Sequence, residues 1–188
     1  MNNKLAAVLT GAALALTLFS AGAASAYAPH TGITARQVVH TAALTPFAMQ
    51  VFCAKSPAQC AANGGAAQVT ANQDLMAVLH QVNRRVNSTI SPRRDGADTW
   101  QVNARYGDCE DYVLSKRAQL IRQGVPAGSL RIAFTHTRSG EAHAVLVVKT
   151  SSGDYVLDNL NNKVKTLRAS GYSIRTMSSA DPTRWTAG

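Results

Sequence analysis

Three residue types that carry acyl-transfer chemistry occur in this chain: Cys109 in RYGDCEDYVLSKRAQLIRQG, His143 in GEAHAVLVV and Asp158 in DYVLDNL. Cys109 falls where a helix should begin, directly after Tyr106-Gly107 and Asp108. Unpaired backbone N–H groups and the positive end of a helix dipole favour a thiolate there. The same amides suit the oxyanion that forms when sulfur attacks a carbonyl. Asp108, Glu110 and Asp111 oppose this, because neighbouring carboxylates disfavour a second negative charge. The thiolate therefore needs a cationic partner, and His143 is the candidate. Asp158 would orient it by accepting a hydrogen bond from one imidazole nitrogen, leaving the other for Cys109. His136 is the competing base, but it sits in the loop-like THTRSG without an acidic partner. His30, His40 and His80 have no such context. The plain alternatives are a buried, inert Cys109 and a structural His143.

These side chains must be brought together by the elements that carry them. The apolar positions Leu75, Leu79, Val82 and Val86 recur at helical spacing, predicting a helix from Thr70 to about Ile90 capped by Thr70 or Asn72. SPRRDG (91–96) breaks it. A second helix is expected from about Asp108 to Gln123, stopped by Gly124 with Pro126 beyond. Three β-type runs follow, Leu130–Thr135, His143–Thr150 and Tyr155–Leu157, the last two joined by a turn over 151–154. A turn centred near Ser151-Ser152 sets His143 near the Asn159-Leu160 end and makes Asp158 its diagonal neighbour on one face. A slip of one residue would move Asp158 to the other face. Residues 27–68 read as loop-rich, with Pro29, Pro46, Pro57 and Gly64-Gly65. The class is α+β, a helix bearing the candidate nucleophile packed on a small antiparallel sheet.

The amino terminus bears on the cysteines. Met1–Lys4 is polar with one positive charge, Leu5 to Ser20 is apolar and uncharged, and Ala24-Ser25-Ala26 has the A-x-A form. That succession predicts a signal peptide over residues 1–26 and one exported domain over 27–188, periplasmic or secreted. No later segment approaches membrane-spanning length. In an oxidising compartment nearby thiols pair, so Cys53 and Cys60 are expected to form a disulfide, leaving Cys109 free. The 188 residues are 46% hydrophobic and 15% charged, which rules out wholesale disorder. Nineteen Lys and Arg against ten Asp and Glu give a net charge of +9. That excess suits acidic partners, and a non-catalytic module binding anionic envelope polymers is one alternative. Nucleic acid is disfavoured, because no aromatics are interleaved with the basic residues.

The three motifs, with Phe52-Cys53, Pro57 to Cys60, Trp100, Tyr172, Asp181-Pro182 and Trp185, resemble the bacterial transglutaminase-like cysteine peptidases. This family includes the LapG-like periplasmic proteases. The resemblance covers essentially the whole of residues 27–188. It implies a papain-like, transglutaminase-core fold with Cys109 as nucleophile, His143 as base and Asp158 as orienter. It implies a protein or peptide substrate, with an acidic surface protein one such class, and a thioester acyl-enzyme resolved by water. Transfer to an amine, the transglutaminase outcome, is the alternative. In LapG-type members carboxylates flanking the nucleophile bind calcium, and Asp108 and Glu110 match them. Calcium needs several oxygen ligands, so these two make only part of a site. The chemistry itself requires no cofactor.

Overall fold

The computed structural model describes residues 41–61, 65–94 and 99–188. The expected signal peptide and its boundary at residue 27 lie outside the described residues. In chain order the elements are β1 (Ala42–Ala43), α1 (Phe47–Lys55), α2 (Pro57–Cys60), α3 (Gln73–Thr89), β2 (Ser91–Pro92) and β3 (Tyr106–Gly107). They continue with α4 (Cys109–Arg122), β4 (Leu130–His136), β5 (Ala142–Val148), β6 (Tyr155–Asp158) and β7 (Asn161–Thr166). Last come α5 (Leu167–Ser170), β8 (Thr176–Ser178) and β9 (Trp185–Ala187).

The two long helices begin where local chemistry starts them. Asn72 caps α3 by accepting the Leu75 N–H at 2.8 Å. Asp108 caps α4 and exchanges side-chain and backbone bonds with Asp111 three residues on, a reciprocal capping box. At the other end of α4, Gly124 takes φ +86°, a left-handed conformation that ends the helix before Pro126.

The residues expected to be loop-rich contain α1 and α2. Helix α1 shows no apolar stripe at helical period, so periodicity gives it no signal. Helix α2 starts at Pro57, whose fixed φ and missing N–H suit the first helical position. The disulfide between Cys53 and Cys60 joins these two helices, and Cys109 is the free cysteine.

The sheet runs β1-β9-β8-β4-β5-β6-β7, with every neighbouring pair antiparallel. It is wider than the three expected runs because four further strands join it. β7 is largely polar, while β1, β8 and β9 have two or three residues each and too little length to show alternation. β2 and β3 form a separate parallel pair leading into α4. Side chains of the sheet alternate between two apolar layers. Ile132, Ala144, Leu146, Val148 and Leu157 pack with α3 and α4 around Leu79, Val82, Val86 and Leu120. Ala133, Val145, Val147 and Val156 face the other way, under Leu167, Tyr172, Ile174 and Met177. Among the described residues no helix is long and apolar enough to cross a membrane.

Candidate active site

Strand register decides whether the imidazole and the carboxylate can meet. β5 and β6 pair Leu146 with Leu157, Val147 with Val156 and Val148 with Tyr155. Continuing that register sets Asp158 opposite Val145, diagonal to His143 on one face. The two side chains meet: His143 Nε2 lies 2.9 Å from Asp158 Oδ1, with both residues buried. The same oxygen accepts the Leu160 N–H at 2.9 Å, and Tyr172 donates its hydroxyl to Oδ2 at 2.6 Å. The Tyr172 ring also packs on the imidazole, with centroids 5.8 Å apart. Burial works to raise the Asp158 pKa, but the bonds from His143, Tyr172 and Leu160 outweigh it and hold the carboxyl below its usual range. Asp158 is therefore an anionic acceptor at neutral pH, which fixes the imidazole proton on Nε2 and leaves Nδ1 unprotonated in the neutral ring.

Helix α3 holds the turn that carries Asp158. Asn87 donates to the Asp158 carbonyl at 2.9 Å, and Asn83, one helical turn earlier, donates to the Asn161 carbonyl at 2.8 Å. Sequence reasoning missed these two roles, although asparagines beside Val82 and Val86 on an otherwise apolar helix face are a signal. Tyr172 was legible only as part of a family pattern, because its hydroxyl reaches Asp158 from outside the hairpin.

Cys109 is the first residue of α4, half-buried, and its thiol is reached by the backbone N–H of Ala144, the residue after His143. The thiol proton goes to Glu110 Oε2 at 2.9 Å. Burial, then Glu110 and Asp108, push the thiol far above its ordinary pKa, so this arrangement keeps sulfur protonated. Glu110 itself is pushed up to about 7, chiefly by burial, with Asp108 close enough to hydrogen-bond and add to the rise. Asp111 is fully buried and accepts the Gln101 N–H at 2.9 Å and the Asp108 N–H at 3.3 Å. It tethers the segment before Cys109.

The sequence profile of the bacterial transglutaminase-like cysteine proteinases matches residues 39–187. The chain belongs to this family. No curated protein matches it. Among solved structures, calcium-bound LapG of Legionella pneumophila is similar at 26% identity and TM-score 0.52, over 56% of this chain and 66% of that one. The EGTA-treated form of the same protein aligns at 26% identity and TM-score 0.54, over 61% and 68%. The chain thus spans about two thirds of the length of LapG. A fold shared with this proteinase family agrees with the α+β, transglutaminase-core expectation.

The calcium of that LapG structure prompts a test of Asp108 and Glu110 in this chain. Asp108 lies close enough to Glu110 to hydrogen-bond, so two carboxyl groups converge beside Cys109, and carboxylate oxygens are the donors that suit a hard cation. They fit as part of a calcium shell. Among the described residues no cluster of three or more His, Cys, Asp or Glu is arranged to hold a metal.

Proposed function

We propose that this proteinase-family member is an exported cysteine peptidase that hydrolyses a peptide bond through a thioester on Cys109. The observation that carries the reading is the His143–Asp158 pair at 2.9 Å, locked by Tyr172, on the strand whose next amide touches a free thiol at a helix start. His143 Nδ1 takes the thiol proton as sulfur adds to the substrate carbonyl carbon. Backbone N–H groups at the start of α4 stabilise the resulting oxyanion. The C–N bond then breaks, and the imidazolium returns its proton to the leaving amine. Water adds to the thioester, giving its proton to His143, and collapse releases a carboxylic acid and the regenerated thiol. Asp158 stays ionised throughout and stabilises the imidazolium. Asp108 and Glu110 would hold calcium, with further oxygen ligands that these two do not supply. When bound, the ion supplies positive charge beside Cys109 that offsets the two carboxylates.

Export is supported by the composition of residues 1–26, and processing would leave a domain from residue 27. Secretion into the medium, or release by osmotic shock, with Tyr27 as the new amino terminus is the expected result.

The test is mass spectrometry of proteins from cells with wild-type or Cys109→Ala enzyme. New peptide termini that appear only with wild type support hydrolysis. Isopeptide cross-links in their place would refute it in favour of amine transfer. Iodoacetamide should label Cys109 and abolish the cleavage, and EGTA should slow cleavage with recovery on adding calcium. Activity that survives Cys109→Ala would sink the assignment of the nucleophile.

A further inference from the structure

Beside Asp158 and Tyr172 lies an open groove of about 570 Å³. Asp158 and Tyr172 line its buried side, and Arg138, Lys163 and Lys165 line it from the β4–β5 hairpin and from β7. Arg138 belongs to the hairpin between β4 and β5, and its charge acts on Tyr172. Lys163 and Lys165 alternate with Val164 along β7, so both point to the groove while Val164 packs toward the helices. All three cations are exposed. The ion pairs of the described residues are Arg94–Glu141, Lys149–Asp154, Arg184–Asp181 and the His143–Asp158 pair, so none of the three is neutralised there. Asp158 is the single acidic residue lining the groove, and its oxygens are already taken by His143, Tyr172 and Leu160. Three cations with no ion-pair partner among the described residues line one concave surface, and together they attract an anion.

The position says which anion arrives. His143 shares the face of Val145 and Val147, the same sheet face as the groove. In peptide hydrolysis the imidazole must protonate the leaving amine, so the residues C-terminal to the cleaved bond depart past His143. An extended peptide advances about 3.3 Å per residue, so four residues after the cleaved bond carry the chain about 13 Å beyond the imidazole, whose partner Asp158 lines the groove. We propose that this groove is the subsite for the leaving segment and that Arg138, Lys163 and Lys165 select Asp or Glu among its first four residues. The inference rests on the peptidase reading and names the substrate feature that reading leaves open.

The test digests a library of random 12-residue peptides with the wild-type protein and with Lys163→Glu/Lys165→Glu, and sequences the products by mass spectrometry. Asp and Glu should be enriched about threefold or more in the four positions after the cleaved bond, and not before it. The double variant should erase or reverse that enrichment, and the milder Lys163→Gln/Lys165→Gln should reduce it. Cleavage without enrichment, or enrichment that survives the charge reversal, overturns the subsite and leaves the peptidase reading standing. Absence of any cleavage by the wild type overturns the peptidase reading, and the groove is then judged by binding alone. For that arm, fluorescein-labelled hexaglutamate is titrated onto the Cys109→Ala protein, with inorganic tripolyphosphate as competitor. Binding at least tenfold weaker in the charge-reversed protein upholds an acidic-peptide site. No binding, binding unaffected by the reversal, or stronger binding of tripolyphosphate overturns it.

Discussion

At the scale of single residues, the carboxylate of Asp158 is held from three directions, and Tyr172 is the contact that can be removed with least disturbance. Its hydroxyl donates a 2.6 Å bond to a buried anion, a class of interaction whose net value is about 1.5–3 kcal/mol. Tyr172→Phe should lower kcat about tenfold with little change in KM, since the substrate does not need the hydroxyl to bind. The acid limb of the rate profile should move to higher pH. The sign follows from the shift: Asp158 titrates below its usual range because of its donors, so losing one donor raises the value. Unchanged kcat with an unmoved acid limb would make the contact incidental.

Lys116 poses the opposite case. It is fully buried on the helix of Cys109, its ammonium finds no hydrogen-bond partner among the described residues, and burial drives its pKa down to about 7 against the attraction of Asp158. An unfolded lysine titrates at about 10.4. Between about pH 7 and 10 the unfolded chain therefore binds the proton that the folded one has lost, and stability rises with pH across that window. Lys116→Met should stabilise the protein by about 1–4 kcal/mol at pH 6 and flatten this rise. Urea unfolding at pH 6 and pH 9 measures both effects.

At the scale of elements, the start of α4 depends on a close approach. A Cβ on Gly107 would lie within 2.2–2.8 Å of the Asp111 carboxylate and Cβ. Asp111 cannot yield, because it is buried and bonded to the amides of Gln101 and Asp108. Gly107→Ala should cost about 1–3 kcal/mol and slow alkylation of Cys109 severalfold, since it moves the turn that delivers the sulfur. Equal stability and equal alkylation would show that the turn adapts.

The same elements explain what could be read beforehand. α3, α4, β4, β5 and β6 were legible because their apolar residues recur at one period and their caps are local. The His143–Asp158 meeting followed from a hairpin whose turn residues stand out. α1 lacked a period, β7 is mostly polar, and the short outer strands exist only because β4 offers them an edge. Tyr172, Asn83 and Asn87 act across long sequence separations, where no local pattern records them.

At the scale of the whole molecule, the net charge of +9 takes on a direction. Cations concentrated in the groove beside Asp158 should make cleavage of acidic substrates sensitive to salt. kcat/KM for a peptide carrying Glu after the cleaved bond should fall severalfold between about 0.05 and 0.5 M NaCl, and the Gln counterpart should change little. A parallel decline for both peptides would assign the charge to solubility alone.

The joined cysteines have a kinetic meaning as well. Cys53 and Cys60 are seven residues apart, whereas Cys109 lies 49 residues beyond Cys60. Loop-closure probability falls with the three-halves power of length, so an oxidising chain closes the short ring about twentyfold faster than either ring through Cys109. The proximity of two sulfurs thus shields the third: a chain refolding in air occupies its competitors with one another before the Cys109 thiol can be trapped.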